Sequence, residues 1–433
     1  MLYHGHMRTL IRNALILPMT EEGLFFKGNI LIQDGKIVSA GSFEGEADEI
    51  IEAEGMIALP SFVNAHTHLA MVLMRNYKDT CEELMSWLSE IWPVEDKLVA
   101  EDIYQASRLG AAELIESGCT VFADMYFQAE NTVRAAREAG IRGIIGLTFF
   151  GDGNESKRRI RELYPRIEEE IAGDPMFRTD AAVHAVYTCS AETYTIAAEW
   201  AKEHGSYLHT HLSETMTEVN DSLRDYGKRP VEYLDSLGIF SVPCYLAHAV
   251  HFNQSELDIL SPHKDTVSFV HNPSSNLKLA SGIAPVSEYR RQGFNVALGT
   301  DGASSNNNLS MLKEINLAAL AATVKAMSPS AGKPYEILKM ATVNGAKALG
   351  LGSVIGTIEP GKDADIVLID TDAVNMTPLN DPFSAVVFSA DKSNIDTVLC
   401  RGRKLMERHQ ILTLDKEEII AKTNERWQSV LER

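Results

Sequence analysis

The chain has 433 residues, 45% of them hydrophobic and 23% charged, which is ordinary for a globular protein. This length predicts either several domains or one large barrel with an attached unit. The formal charge of −20 at pH 7 repels phosphate backbones and anionic bilayers. We therefore expect neither nucleic acid nor a membrane surface as a partner.

The five cysteines form no C-x-x-C pair and are too few for a disulfide framework. No apolar run approaches the length of a membrane span, and the N-terminal stretch lacks the pattern of a signal peptide. We therefore expect a cytoplasmic protein with reduced thiols. The sequence is compatible with a homo-oligomer but does not specify one.

Both ends of the chain are predicted to form short β-strands. Residues 8–57 contain three such runs, and Asp34-Gly35 between alternating apolar positions indicates a hairpin. The β character returns over residues 356–415, in "GTIEPGKDADIVLID" and "NIDTVLCRGRKLM", and residues 416–433 are predicted to form a terminal helix. We expect the two β segments to pair into one small β-sandwich domain.

Residues 58–355 alternate short apolar runs with helical patterns, which is typical of parallel βα units. The eight candidate strands are "MIALPSFVNA", "CTVFADM", "RGIIGLTFF", "TDAAVHAVY", "SYLHTHL", "PCYLAHAV", "TVSFVHN" and "FNVALGTD". In one intervening helical stretch, "EDIYQASRLGAAELIESG", Gly118 suits a helix C-terminus. Eight units predict an α/β fold, a catalytic (β/α)8 TIM-type barrel, with a doubly wound sheet as the alternative.

Polar residues gather at the ends of these runs, where barrel enzymes place their active sites. They are His66 and His68 on run one, Asp124 on run two, His184 on run four, His209 and His211 on run five, His248 on run six, His271 on run seven and Asp301 on run eight. Histidine is thus concentrated where a site is expected.

The pair His66 and His68 is spaced so that both side chains project from the same face of a strand. Alone, two histidines near a turn are more often ordinary polar surface residues. His211 and Asp301 at later strand ends add a third imidazole and a carboxylate, a ligand set that suits zinc and related divalent ions. Glu214, three residues after His211, adds a carboxylate that could move a proton, although a solvated loop glutamate is the alternative.

Five motifs together resemble the amidohydrolase superfamily: "NAHTHL", "HTHLSE", "LAHAVHF", "HNPSSNLKL" and "ALGTDGASSNN". The segment "MSWLSEIWPVEDKL" is similar to the branch of deaminases that act on methylthioadenosine and S-adenosylhomocysteine. The resemblance covers nearly the whole chain. It implies hydrolytic deamination of 5′-modified adenosines, including adenosine or 5′-deoxyadenosine, to the inosine analogues and ammonia.

The resemblance also implies roles for individual residues. One divalent metal per subunit, most often Zn²⁺, would be held by His66, His68, His211 and Asp301. Glu214 would carry a proton from water to the purine ring, His248 would steady the attacking oxygen, and Asp301 would pass a proton to the departing amine. Run four lacks the lysine that bridges two metals in other superfamily members, which favours one metal.

Substrate contacts follow from the same resemblance. Glu95 matches a residue that binds the ribose hydroxyls, and His184 matches one that contacts the purine; an exposed carboxylate and a core histidine are the alternatives. Arg159 best matches an arginine that reaches the substrate, although Arg158 and Arg161 are adjacent. Glu214 and Asp301 would also contact the substrate. Trp87, Trp92, Met71 and Met74 are candidates for an apolar pocket around the 5′ group.

Four other functional classes can be compared with the sequence. The H-x-E and P-C-x-x-C pattern of cytidine-type deaminases and the H-E-x-x-H pattern of zincins are both absent. Within the superfamily, a hydrolase of another heterocycle, such as guanine, cytosine, a chlorotriazine or a cyclic amide, would use the same metal ligands. A metal-free barrel that binds or scaffolds is the alternative from a different class.

Overall fold

A computed structural model describes residues 7–43 and 45–433. The strands are β1 (Arg8–Ile16), β2 (Phe26–Gln33), β3 (Lys36–Gly41), β4 (Glu49–Glu52), β5 (Met56–Pro60), β6 (Phe62–Thr67), β7 (Cys119–Asp124), β8 (Arg142–Phe149), β9 (Phe177–Val183), β10 (Leu208–Leu212), β11 (Cys244–His248), β12 (Val267–His271), β13 (Asn295–Leu298), β14 (Ile366–Asp370), β15 (Ile395–Cys400), β16 (Arg403–Glu407) and β17 (Gln410–Ile411).

The α-helices are α1 (Leu84–Glu95), α2 (Ala100–Glu116), α3 (Ala129–Ala139), α4 (Gly153–Glu162), α5 (Tyr164–Ile171), α6 (Ala191–His204), α7 (Met216–Tyr226), α8 (Pro230–Ser236), α9 (Gln254–Leu260), α10 (Pro273–Lys278), α11 (Val286–Arg291), α12 (Ala303–Asn306), α13 (Met311–Ala326), α14 (Pro334–Ala341), α15 (Val343–Ala348), α16 (Pro382–Ser384) and α17 (Lys416–Glu432). Turns of 3₁₀-helix lie at Leu69–Met74, Ile239–Ser241, Ser261–His263, Pro329–Gly332, Val374–Met376 and Lys392–Asn394, and a π-helical turn at Ala385–Ser389. Across the described ranges, no helix combines the length and apolarity needed to cross a bilayer.

The eight strands β6 to β13 form a parallel sheet in which sequence neighbours are also spatial neighbours. The first and last strands meet where the Asp301 N–H donates to the His66 carbonyl at 3.0 Å, so the sheet curls into a nearly closed barrel. Nearly every residue of these strands is buried, as expected when helices cover the outside and side chains fill the inside. The predicted α/β barrel is confirmed.

The remaining nine strands form one mixed sheet that joins the two ends of the chain. Its order is β17, β16, β15, β14, β5, β1, β2, β3, with β4 beside β1. The union is made by β14, which runs antiparallel to β5 with Ile366 opposite Pro60. The hairpin turn at Asp34 and Gly35 lies where it was predicted, and both residues have the positive φ that such two-residue turns require.

The first apolar run, read as one barrel strand, is divided between the two sheets. Met56–Pro60 pairs in the small sheet, Ser61 donates its N–H to the Asp365 carbonyl at 3.0 Å, and Phe62–Thr67 begins the barrel. The small sheet therefore reaches residue 60, beyond the predicted limit at 57. A continuous apolar run cannot reveal this division because both sheets bury it equally. The predicted division into domains stays a prediction.

A buried group of charges joins the two sheets at the amino ends of the barrel strands. Arg142, at the start of β8, pairs with Asp363 and Asp365, which precede β14. Asp365 also accepts hydrogen bonds from Thr120 Oγ1 at 3.1 Å and from the Arg401 N–H at 2.9 Å. We call Arg142, Asp363 and Asp365 the basal ion cluster.

Candidate active site

A cavity opens at the carboxyl ends of the barrel strands. Helix α1 and the 3₁₀ turn Leu69–Met74 contribute Leu84, Trp87 and Met71 to its walls. Trp92 also lines it, whereas Met74 is not among the lining residues, so three of the four predicted apolar residues reach the cavity. Such a mostly apolar cleft with a few converging polar groups is typical of a small-molecule site.

The four predicted metal ligands converge at one side of this cavity. His66, His68, His211 and Asp301 each offer a ligand atom, and these atoms all lie within 4.8 Å of one another. Asp301 Oδ1 is 3.4 Å from His66 Nε2 and 3.2 Å from His68 Nε2. Residues from the first, fifth and eighth barrel strands thus surround a single point.

The other ring nitrogen of each histidine is already held by the protein. His66 Nδ1 lies 2.9 Å from His209 Nε2, and the Nδ1 atoms of His68 and His211 lie 2.6 and 2.8 Å from the carbonyls of Met125 and His184. These contacts fix each ring so that its Nε2 faces the shared point, as second contacts do in metal sites. His66 Nε2 is buried without a hydrogen-bond partner among the described residues.

The charge state of the cluster also fits a bound cation. Burial lowers the pKa of His66 to about 4 and that of His211 well below its usual value, so both rings are neutral, as metal ligands must be. Burial raises the pKa of Asp301, but the imidazoles of His66 and His68 outweigh it and hold that pKa well below its ordinary range. Burial also lowers the pKa of His68, but its contact with Asp301 outweighs this and raises that pKa to about 8. A buried carboxylate among three imidazoles is a ligand set that fits a metal ion.

Glu214 lies beside this cluster and is held by contacts on both sides. Its Oε1 accepts a hydrogen bond from Ser281 Oγ at 2.9 Å, and its Oε2 lies 3.6 Å from His248 Nε2. Burial raises the pKa of Glu214, with His248 opposing the shift. Asn276 Nδ2 is 2.8 Å from His248 Nδ1, and a donor there leaves the imidazole hydrogen on Nε2, facing Glu214 and the cavity.

Glu95 and His184, both predicted to bind substrate, line the same cavity. The Tyr126 hydroxyl donates to Glu95 Oε1 at 2.7 Å, and burial raises the pKa of this carboxyl. His184 Nδ1 lies 2.8 Å from Thr188 Oγ1, while burial lowers the pKa of the ring to about 3. The neutral imidazole can therefore present Nε2 to a ligand.

The chain matches the model of the amidohydrolase family over residues 57–405. It belongs to this family. A 5-methylthioadenosine/S-adenosylhomocysteine deaminase of Syntrophomonas wolfei is 42% identical over 428 residues, 97% of this chain and 98% of that protein. A 5′-deoxyadenosine deaminase of Methanobrevibacter smithii is 42% identical over 421 residues, 95% and 96% of the two chains. The crystal structure of an adenosine deaminase from Xanthomonas campestris with bound zinc has a TM-score of 0.93 at 29% identity, covering 98% of this chain and 99% of that one.

In this amidohydrolase, Arg159 is not among the residues that line the cavity. Its Nε donates to Glu155 Oε1 at 2.7 Å, and its Nη1 donates to the Thr148 carbonyl at 2.9 Å. The neighbouring Arg158 pairs with Glu155 and Glu162 on the exposed face of α4. A role of Arg159 in substrate binding remains a prediction from the resemblance.

Sequence reasoning missed the contacts that hold the reactive carboxylates. The buried side chain of Glu218 accepts the N–H groups of Ser213 and Glu214, both at 2.8 Å. Asp301 Oδ2 accepts from Ser275 Oγ at 2.6 Å and Ser305 Oγ at 3.2 Å. A signal for Glu218 was present, since Thr215-x-x-Glu218 has the pattern of a capping box, but that pattern predicts a contact only with the helix end.

Proposed function

We propose that this chain is a metal-dependent hydrolytic deaminase that converts 5′-modified adenosines to their inosine analogues and ammonia. The observation that carries the proposal is the convergence of the four-ligand cluster, Glu214 and His248 on one wall of a cavity that is also lined by Glu95. The names of the similar proteins, which act on methylthioadenosine, S-adenosylhomocysteine or 5′-deoxyadenosine, support the same substrate class.

His66, His68, His211 and Asp301 would hold one divalent metal ion, for which Zn²⁺ is our proposal because three imidazoles and one carboxylate suit it. When bound, such an ion lowers the pKa of water from about 16 to ~7 and so supplies hydroxide at neutral pH. The zinc in the similar Xanthomonas structure supports this choice.

Glu214 would transfer a proton from the attacking water to the substrate. Its raised pKa suits a group that accepts a proton from the attacking water and delivers it to the purine ring nitrogen, which makes C6 more electrophilic. His248, with its hydrogen on Nε2, would donate to the oxygen that adds to C6. Asp301 would accept the second proton of the attacking oxygen and pass it to the departing amine, and loss of ammonia leaves the carbonyl of the inosine product.

Substrate orientation would come from the opposite side of the cavity. The Glu95 carboxylate can accept hydrogen bonds from two vicinal ribose hydroxyls, with the Tyr126 contact fixing its orientation. The neutral His184 ring would contact the purine, placing C6 beside Glu214. Holding the reacting carbon in this position makes the bimolecular step effectively unimolecular and so lowers its entropic barrier.

An ammonia-release assay tests the proposal. The metal-loaded protein is given methylthioadenosine, S-adenosylhomocysteine, adenosine, 5′-deoxyadenosine, guanine and cytosine in parallel. We expect turnover of at least one 5′-modified adenosine and none of either free base. Turnover of guanine or cytosine with none of the nucleosides would assign the chain to another heterocycle and overturn the proposal.

A cytoplasmic location and a nucleoside as the main small-molecule partner complete the proposal. All five cysteines are free, four of them buried, which agrees with a reducing compartment.

A further inference from the structure

We propose that the cavity selects nucleosides whose 5′ substituent is uncharged, and that Phe150 sets this selectivity. The inference rests on the proposed function, because it concerns the end of the nucleoside that does not react. It separates the two substrate types named together for the similar Syntrophomonas protein: a methylthio group is apolar, whereas a homocysteine tail carries both an ammonium and a carboxylate.

The permanently charged side chains that line the cavity are acidic. Its three carboxylates are Glu95, Glu214 and Asp301, and among the described residues no lysine or arginine contributes to the lining. The metal cluster, Glu214 and Glu95 would be occupied by the purine and the ribose. A 5′ tail therefore enters a region where no positive side chain could pair with its carboxylate.

Apolar side chains form a large part of the remaining wall. Leu84, Trp87 and Leu88 precede Glu95 on α1, and Phe127 and Leu279 line other parts of the cavity. A thioether or methyl group transferred from water to such a surface is stabilised. A carboxylate transferred there loses its hydration without gaining a partner, which is strongly unfavourable.

One candidate cation, Arg159, is separated from the cavity by Phe150. The guanidinium lies over the Phe150 ring at 5.6 Å from its centroid, and Phe150 lines the cavity whereas Arg159 does not. Arg159 also donates to Glu155 and to the Thr148 carbonyl. Its side chain is only 13% exposed. The positive charge is thus already paired and lies behind an aromatic ring.

Phe150 is held in this position by contacts with two other rings. It stacks on His184 with centroids 4.5 Å apart and on Phe127 with centroids 5.5 Å apart. The two interplanar angles are 26° and 24°. Turning Phe150 aside to admit a carboxylate would break both contacts, which contribute beyond simple burial.

A substrate series tests whether charge is what the cavity rejects. We would measure kcat/KM of the metal-loaded protein for methylthioadenosine, 5′-deoxyadenosine, S-adenosylhomocysteine and 5′-butylthio-5′-deoxyadenosine. The butylthio compound matches the homocysteine chain in length but has no charge. We expect S-adenosylhomocysteine to be at least about 100-fold poorer than methylthioadenosine, with the butylthio compound staying within about tenfold of it.

Matched variants test the role of Phe150. Phe150→Ala removes the shield over Arg159 and is expected to raise the ratio of S-adenosylhomocysteine to methylthioadenosine kcat/KM by about tenfold or more. Phe127→Ala removes a ring that contacts Phe150 without uncovering Arg159. It should therefore lower kcat/KM for both substrates by the same factor. Adding Arg159→Gln to Phe150→Ala should restore the wild-type ratio.

The outcomes separate this inference from the proposed function. If no nucleoside is turned over, the proposed function fails. If S-adenosylhomocysteine matches methylthioadenosine, or if the butylthio compound is as poor as S-adenosylhomocysteine, the function stands and selection by charge is wrong. An unchanged ratio in a folded Phe150→Ala protein removes Phe150 from the explanation, and the wild-type series still decides the rest should that variant not fold.

Discussion

Two buried groups of charge lie at opposite ends of the same barrel, and they differ in whether their charges are already paired. In the basal ion cluster, the Arg142 side chain is 5% exposed and contacts both carboxylates, so every charge has a partner within the protein. In the metal-ligand cluster, burial lowers the pKa of His66 to about 4, so this ring is neutral, and its Nε2 has no hydrogen-bond partner in the described chain.

The difference shows how a structural cluster can be told from a functional one. Both groups are buried, so burial alone does not discriminate. The residues of the basal ion cluster pair with one another and join the two sheets. Each histidine of the metal-ligand cluster is instead held through its Nδ1, and its Nε2 faces the shared point. The position in the barrel agrees, because active sites lie at the carboxyl ends of the strands and stabilising contacts at the amino ends.

The largest effect is expected from removing one residue of the metal-ligand cluster. His66→Ala should lose the metal ion and at least about 10³-fold of kcat, because the attacking water then keeps its ordinary pKa. Elemental analysis after gel filtration measures the metal, and ammonia release measures kcat. His204→Ala, at the end of α6, is the matched control and should keep both. A full equivalent of tightly held metal in His66→Ala would show that the cluster is not the site.

The basal ion cluster should respond in stability and not in rate. Arg142→Met leaves the buried Asp365 without its cation, whereas Asp363 keeps Lys36 and Arg401 as partners. We expect the substitution to lower the free energy of unfolding by about 3–5 kcal/mol. Urea denaturation measures the loss, and kcat of the folded fraction should be unchanged. Arg12→Met, which breaks an exposed pair with Glu52, is the control and should change stability far less. Normal stability with a large loss of kcat in Arg142→Met would show that the basal ion cluster serves catalysis and not stability.

Glu214→Gln separates proton transfer from metal binding at the candidate active site. The amide keeps the size and the Ser281 contact of Glu214 but cannot carry the proton, so turnover should fall by ~10²-fold or more. Metal content should stay at the wild-type level, since Glu214 is not one of the four converging ligands. Near-normal turnover in this variant would reject the proton-transfer role.

Much of this organisation could be predicted because the chemistry requires particular residue types at particular places. His66, His68, His211 and Asp301 could be found from sequence, since strand ends in a barrel meet and these residue types bind metals. The placement of Phe150 over Arg159 could not, because α4 packs on the end of β8 through contacts that no spacing encodes. The division of the first apolar run between two sheets was hidden for a similar reason, since burial leaves the same pattern in either sheet.

The smallest effect is expected at Glu218. Like the residues of the basal ion cluster it has partners for its charged atoms, because each carboxylate oxygen accepts a backbone N–H, but it supports the turn that carries Glu214. Glu218→Gln replaces one acceptor of the Ser213 and Glu214 N–H groups by a donor, so the turn that aims Glu214 should shift. We expect kcat to fall by about tenfold, with KM and metal content unchanged, as for other residues that orient a site. Glu256→Gln is the control, because this buried carboxylate also accepts backbone N–H groups, from Val231 and Asn253, but it does not line the cavity.

The pH dependence of stability gives Glu218 a second, independent test. Burial raises its pKa from the ordinary 4.5 to about 8, with the two N–H donors opposing the shift. A carboxyl group whose pKa is higher in the folded state contributes stability that is complete below the unfolded-state pKa and is lost as the pH rises through the folded-state pKa. The stability advantage of the wild type over Glu218→Gln should therefore shrink between about pH 5 and pH 8. Thermal or urea unfolding across that range measures it, and a constant difference would mean that Glu218 is ionised throughout and acts on Glu214 as a fixed negative charge.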